Sequence, residues 1–106
     1  LAGAASLRKI LQIDTVVIHA RGWSCAASRE HQAALPGPFC GRPRWTTGAG
    51  DHFNAGFLAG QLLRLPLQSA LAQAMATSGY YVRHGESPSW TQLLEFLKVC
   101  GPDACE

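Results

Sequence analysis

Charge is scarce in this sequence. Asp, Glu, Lys and Arg make up 15% of the 106 residues, and nine basic against seven acidic side chains leave a formal net charge of +2. The basic residues are scattered, with no stripe that would follow a phosphate backbone, so nucleic acid is not an expected partner. No apolar run approaches the roughly 18 to 20 residues that cross a bilayer, and no membrane span is expected. The start, Leu1-Ala-Gly-Ala-Ala-Ser6, lacks an initiator Met. It also lacks a charged region ahead of an apolar stretch, which argues against a signal peptide. It reads as a cut, and the chain is expected to be a piece of a longer one. The four cysteines, Cys25, Cys40, Cys100 and Cys105, form no C-x-x-C pair and no usual zinc spacing with the four histidines. No metal ligand set is expected from them; reduced, structural thiols in a cytoplasmic protein are.

Apolar residues are plentiful, at 47%, enough for one small core and too many for a disordered tail. Leu7, Ile10 and Leu11 recur at helical spacing between Ala4 and Ile13, with Arg8 and Lys9 on the other side. Thr15-Val-Val-Ile-His19 is a short β-branched run, suited to a strand buried on both faces as in a parallel sheet covered by helices. Arg21-Gly22 breaks it, and Trp23 to Ser28 reads as a second strand. From Glu30 to Arg44 the chain is expected to be irregular, because three prolines in eight residues exclude a helix.

At Thr46-Thr47-Gly48-Ala49-Gly50-Asp51 the character changes to a glycine-rich turn, with a helix expected over His52 to Arg64. Between Asn54 and Leu63 only Asn54 and Gln61 are polar, a pattern expected of a helix buried all round. Gly56 and Gly60 each weaken it by about 1 kcal/mol, and close approach of a neighbouring backbone is the expected return. Pro66 opens a second helix at a favoured position. Its packing stripe is read as Leu67, Ala70, Leu71, Ala74, Thr77, Ser78 and Tyr81. Ser89-Trp-Thr-Gln92 fits a capping box at the start of a third helix, with Trp90, Leu93, Leu94 and Leu97 on one face. The fold class is therefore α/β: a small sheet fragment followed by three helices, in one domain over residues 1–106.

The chemistry is concentrated in Thr46 to Phe57. Two glycines one residue apart let the backbone approach a ligand. The helix that follows offers unpaired amides and the positive end of its dipole, which together bind anions. Asp51 then stands as a carboxylate at the lip. An anion cradle beside one carboxylate suits phosphoryl transfer, although a Gly-Asp ahead of a helix is also an ordinary turn with an N-cap. This is not a Walker A loop, since no Gly-Lys-Ser/Thr follows.

The segment Thr46-Thr-Gly-Ala-Gly-Asp-His-Phe-Asn-Ala-Gly-Phe57 resembles, almost residue for residue, the second signature of the ribokinase-like (PfkB-type) carbohydrate kinases. Val82-Arg83-His84-Gly85 is similar to that family's loop after the nucleotide-side helix. The resemblance spans about residues 7 to 97 and corresponds to the C-terminal part of such a kinase. It implies a Rossmann-type α/β sandwich, ATP as donor, Mg²⁺ held from the N-terminal half, and a sugar or related alcohol as the small-molecule acceptor. It further implies Asp51 as catalytic base, Gly48, Ala49 and Gly50 as the anion hole, and Thr47, Gly22 and Gly85 on the nucleotide or cation side. Trp45 departs from the family, which often has there an acidic residue that helps hold a monovalent cation. His19-Ala-Arg-Gly22 departs from the usual Thr-x-Gly. These departures motivate one alternative, a non-catalytic nucleotide-binding module or pseudokinase; a vitamin-type kinase of the same superfamily, acting on pyridoxal or a hydroxymethylpyrimidine, is another. His52 is expected to face the sheet or solvent, and His19 to be an ordinary strand-end histidine. Arg83 suits either a phosphate or a helix C-terminus. Trp23, Trp45 and Trp90 are read as core or interface anchors.

Overall fold

A computed structural model describes residues 2–37 and 43–99. The order is α1 (Ala2–Leu11), β1 (Val16–His19), β2 (Trp23–Ala27), β3 (Gln32–Pro36), α2 (Ala49–Leu62), α3 (Leu67–His84) and α4 (Trp90–Val99). Cys40, Cys100 and Cys105 lie outside the described residues; Cys25 is a free, buried thiol.

The three strands form one sheet in the order β1-β2-β3, every pair antiparallel. The strand side-chain period of two divides them between two faces. Val16 and Ile18 pair opposite Ala27 and Cys25 and pack with Ala4 of α1. Val17, Ala26 and Ala33 face the other way, onto Phe53, Phe57, Leu71 and Met75 of α2 and α3. Helices thus cover both faces of β1, as its continuous apolar run suggested. The expected parallel pairing is corrected: the short turn at Arg21-Gly22, closed by the Ala20 amide on the Trp23 carbonyl at 2.9 Å, can only reverse the chain.

A second correction is β3, which falls inside the segment expected to be irregular. The turn from Ser28 to His31, with the Ser28 amide donating to the His31 carbonyl at 2.8 Å, returns the chain beside β2. Pro36 is tolerated because β3 is an edge strand.

α2 begins at Ala49, earlier than the expected His52, with Gly48 as N-cap at φ +95°. Its buried residues are Phe53, Gly56, Phe57 and Gly60, all at helical spacing on one side. The opposite side is open, with Leu58 and Leu62 at 58% and 85% exposure, so the helix is not buried all round. The two glycines serve the expected close approach. A Cβ on Gly56 would sit 2.9 Å from the Ala74 Cα, and one on Gly60 3.0 Å from the Ala70 Cα. In that contact the Gln73 Nε2 donates to the Gly56 carbonyl at 2.9 Å, satisfying a buried amide.

α3 is wrapped by α2, the sheet and α4: of the expected stripe Ala70, Leu71 and Ala74 are buried while Leu67, Thr77, Ser78 and Tyr81 are half-buried, and Gln73, Met75, Ala76, Gly79 and Tyr80 join the buried set. α4 starts with the expected capping box. The Ser89 amide donates to Gln92 Oε1 at 2.9 Å and the Gln92 amide to Ser89 Oγ at 3.2 Å. Its buried face is Leu93 and Phe96, with Leu97 partly covered, while Trp90 and Leu94 point outward. Trp23, Trp45 and Trp90 are all about half exposed and anchor no core among the described residues.

Candidate active site

The glycine-rich turn lies where the end of β1, the first turn of α2 and the C-terminal half of α3 meet. Gly48 takes the left-handed conformation that L side chains rarely adopt, and a Cβ there would also meet the Tyr81 hydroxyl at 2.9 Å. Two separate constraints therefore require glycine at this position. Of the amides at the start of α2, that of Ala49 donates to the Thr46 carbonyl at 3.1 Å, and the His52 amide closes the first helical bond onto the Gly48 carbonyl at 3.0 Å. The Gly50 and Asp51 amides find no backbone acceptor among the described residues, and no side chain caps this helix. They lie in the helix's electropositive first turn.

Asp51 is exposed beside them and makes no ion pair with a described residue. Ala49 and Gly50 border a cavity of about 300 Å³ whose other walls include His19 and Arg21 from the end of β1 and its turn, and Met75 and Gly79 from α3. The His19 ring stacks on Phe53, with centroids 4.2 Å apart, so it is a packed strand-end residue as well as part of the wall. Such a recess, with half-apolar walls and free amides at its rim, has room for a ring or a small anionic group.

The remaining sequence candidates are more dispersed. Thr46, and not Thr47, lines the cavity; the Thr47 carbonyl accepts the Tyr81 hydroxyl at 2.6 Å. Gly22 sits in the β1–β2 turn, where its carbonyl accepts the Gly37 amide at 2.6 Å, outside the cavity wall. Gly85 is the left-handed C-cap of α3, also outside it. A Cβ on Gly85 would approach the Trp45 indole at 2.5 Å, so the indole occupies the ground beside Gly85 where the family resemblance set an acidic side chain. Arg83 turns back along α3 to donate to the Gly79 carbonyl at 2.8 Å, over the Phe96 ring.

The sequence reading missed the part played by His52. It faces neither sheet nor open solvent. Its Nδ1 lies 2.8 Å from the Gly48 carbonyl, its Nε2 2.7 Å from Ser87 Oγ, and its ring stacks on Tyr81 at 3.8 Å. The Tyr81–Thr47 and Ser87–His52 bonds join residues 34 and 35 apart, and no local pattern announces them.

The sequence model of the prokaryotic ketohexokinases matches residues 2–99. A ketohexokinase from Haloferax volcanii is 39% identical over 54 residues, which are 51% of this chain and 14% of that protein. The nucleoside kinase of Methanocaldococcus jannaschii, an archaeal member of the ribokinase family, superposes with a TM-score of 0.69 at 21% identity, over 90% of this chain and 36% of that one. A 2-keto-3-deoxygluconate kinase candidate from Enterococcus faecalis superposes with a TM-score of 0.67 at 17% identity, over 95% of this chain and 33% of that one. The α/β fold is that of these kinases, and the chain spans about a third of the solved neighbours.

Proposed function

Since this chain belongs to the prokaryotic ketohexokinase family, within the ribokinase-like carbohydrate kinases, we propose that it is the C-terminal part of an ATP-dependent sugar kinase. The family's name favours a ketohexose as acceptor. The observation that carries this reading is the exposed Asp51 in the first turn of α2, where two backbone amides lack acceptors among the described residues and Gly50 lines the cavity.

The chemistry follows from that arrangement. A sugar hydroxyl loses its proton to Asp51 as its oxygen bonds to the γ-phosphorus, while the bond from that phosphorus to the bridging oxygen of ADP breaks. Negative charge spreads over the transferring group. The Gly50 and Asp51 amides and the helix dipole are oriented before the reaction and hold that charge without reorganising. The cavity behind the turn, walled by His19 and Met75, suits the nucleotide rather than the sugar. Its about 300 Å³ is too small for a whole ATP, and the phosphates would lie at its rim. Mg²⁺ in kinase sites takes most of its ligands from phosphates and water, with one or two carboxylates. With Asp51 taking the proton, the residues that would hold the ion are expected from the N-terminal half, and its contribution would be to offset phosphate charge.

The test is Asp51→Asn in the complete protein. Turnover should fall at least about 10²-fold with little change in ATP affinity. Near-normal turnover would reduce Asp51 to a helix-end carboxylate and favour a nucleotide-binding module.

A further inference from the structure

We infer that His52 and Tyr81 are positioning residues that set the orientation of the Thr47–Asp51 backbone, and hence of the charge-binding amides; the inference rests on the kinase reading of this turn. Two consecutive carbonyls are held by side-chain donors. Tyr81 gives its hydroxyl proton to the Thr47 carbonyl at 2.6 Å. His52 Nδ1 lies 2.8 Å from the Gly48 carbonyl, and since a carbonyl only accepts, Nδ1 carries the proton. In the neutral ring Nε2 then accepts from the Ser87 hydroxyl, 2.7 Å away. The two rings stack at 3.8 Å and 15°, so each packs against a face of the other.

Peptide planarity transmits this restraint. A carbonyl and the amide of the following residue share one rigid plane. Anchoring the Thr47 oxygen fixes the Gly48 amide, and anchoring the Gly48 oxygen fixes the Ala49 amide. The Gly48 oxygen also accepts the His52 backbone amide at 3.0 Å, so side chain and backbone of one residue converge on the carbonyl that closes the first turn, which contains Gly50 and Asp51. Tyr81 comes from α3 and Ser87 from the loop after it, which ties the turn to the far side of the helical layer. Glycine at 48 supplies the conformation without supplying rigidity; the aromatic pair restores it.

The experiment compares Tyr81→Phe, His52→Asn and His52→Gln in the complete protein. Phe keeps the ring and loses the hydroxyl. Asn presents its amide N–H near the position of Nδ1, whereas Gln reaches the position of Nε2. Tyr81→Phe and His52→Gln should lower kcat by about tenfold with the KM for sugar unchanged, as expected for a misplaced reacting group. His52→Asn should recover most of the loss. Hydrogen exchange of the Ala49 and His52 amides, which are bonded to the Thr46 and Gly48 carbonyls, should accelerate in the first two variants and stay slow in the third. A lowered Tm with kcat and exchange at the turn unchanged, or equal behaviour of Asn and Gln, overturns the inference. A wild-type protein with no sugar-dependent ATP consumption sinks the kinase reading instead, and the exchange rates then decide the positioning role alone.

Discussion

A methyl group added at Gly50 would meet only the His19 ring, at an ordinary 3.6 Å, and Gly50 lies within the first turn of a helix, where alanine is the better former by about 1 kcal/mol. The fold therefore does not require glycine there, whereas at Gly48 both the positive φ and the Tyr81 hydroxyl do. This separates the folding and binding roles of two neighbouring glycines. Gly50→Ala is expected to leave Tm unchanged or slightly raised while weakening ATP binding, with adenosine affected much less, because the methyl group stands where phosphate approaches the amide. Calorimetric titration with both ligands checks it. Equal loss for both, or no loss for ATP, would contradict a phosphate site at this amide.

At the level of elements, α2 and α3 are held at a separation only glycine permits. Gly56→Ala drives a methyl group to within 2.7 Å of Thr77 Oγ1 and 3.1 Å of the Gln73 carbonyl, and it presses on the bond from Gln73 to Gly56. The helices must part, at a cost of about 1 to 3 kcal/mol, read as a fall in the denaturation midpoint; an unchanged midpoint would show the contact to be loose. This close approach was legible in the sequence, because two glycines on the apolar side of a helix have few other uses. The capping box of α4 was legible too, as were α1, β1 and β2. What escaped had physical causes. β3 is short, rich in alanine and ends in proline, so it carries no β-branched signal and owes its pairing to the turn at Ser28. α2 looked fully buried because Leu58 and Leu62 are apolar, but composition does not say what lies opposite. At the site, the turn and its carboxylate stood out by spacing, while the Tyr81–His52–Ser87 support is assembled by tertiary packing.

On the scale of the whole molecule, the outward sides of the helices are unusually apolar. Leu62 and Ile10 are 85% and 76% exposed, and Leu11, Leu58, Leu63 and Leu94 are each more than half exposed. The outer edge of β1 has no partner strand among the described residues. Open edges pair with other chains, and apolar patches associate. The 106-residue chain expressed alone should therefore self-associate and show no sugar-dependent ATP consumption, as judged by size-exclusion chromatography and a coupled assay. A monomer with one cooperative thermal transition would contradict the first expectation, and measurable turnover the second. The α2–α3 contact has a further consequence, in time rather than in space. The bond that ties α2 to α3 joins residues 17 apart, whereas Gln68 reaches Ala34 on β3 across 34. Shorter loops close at lower entropic cost, so the helical hairpin is expected to precede the layer it forms with the sheet. A glycine-weakened α2 gains little helicity before α3 arrives. The Asp51 turn accordingly takes its final shape late, after the residues that brace it have been synthesised and folded back.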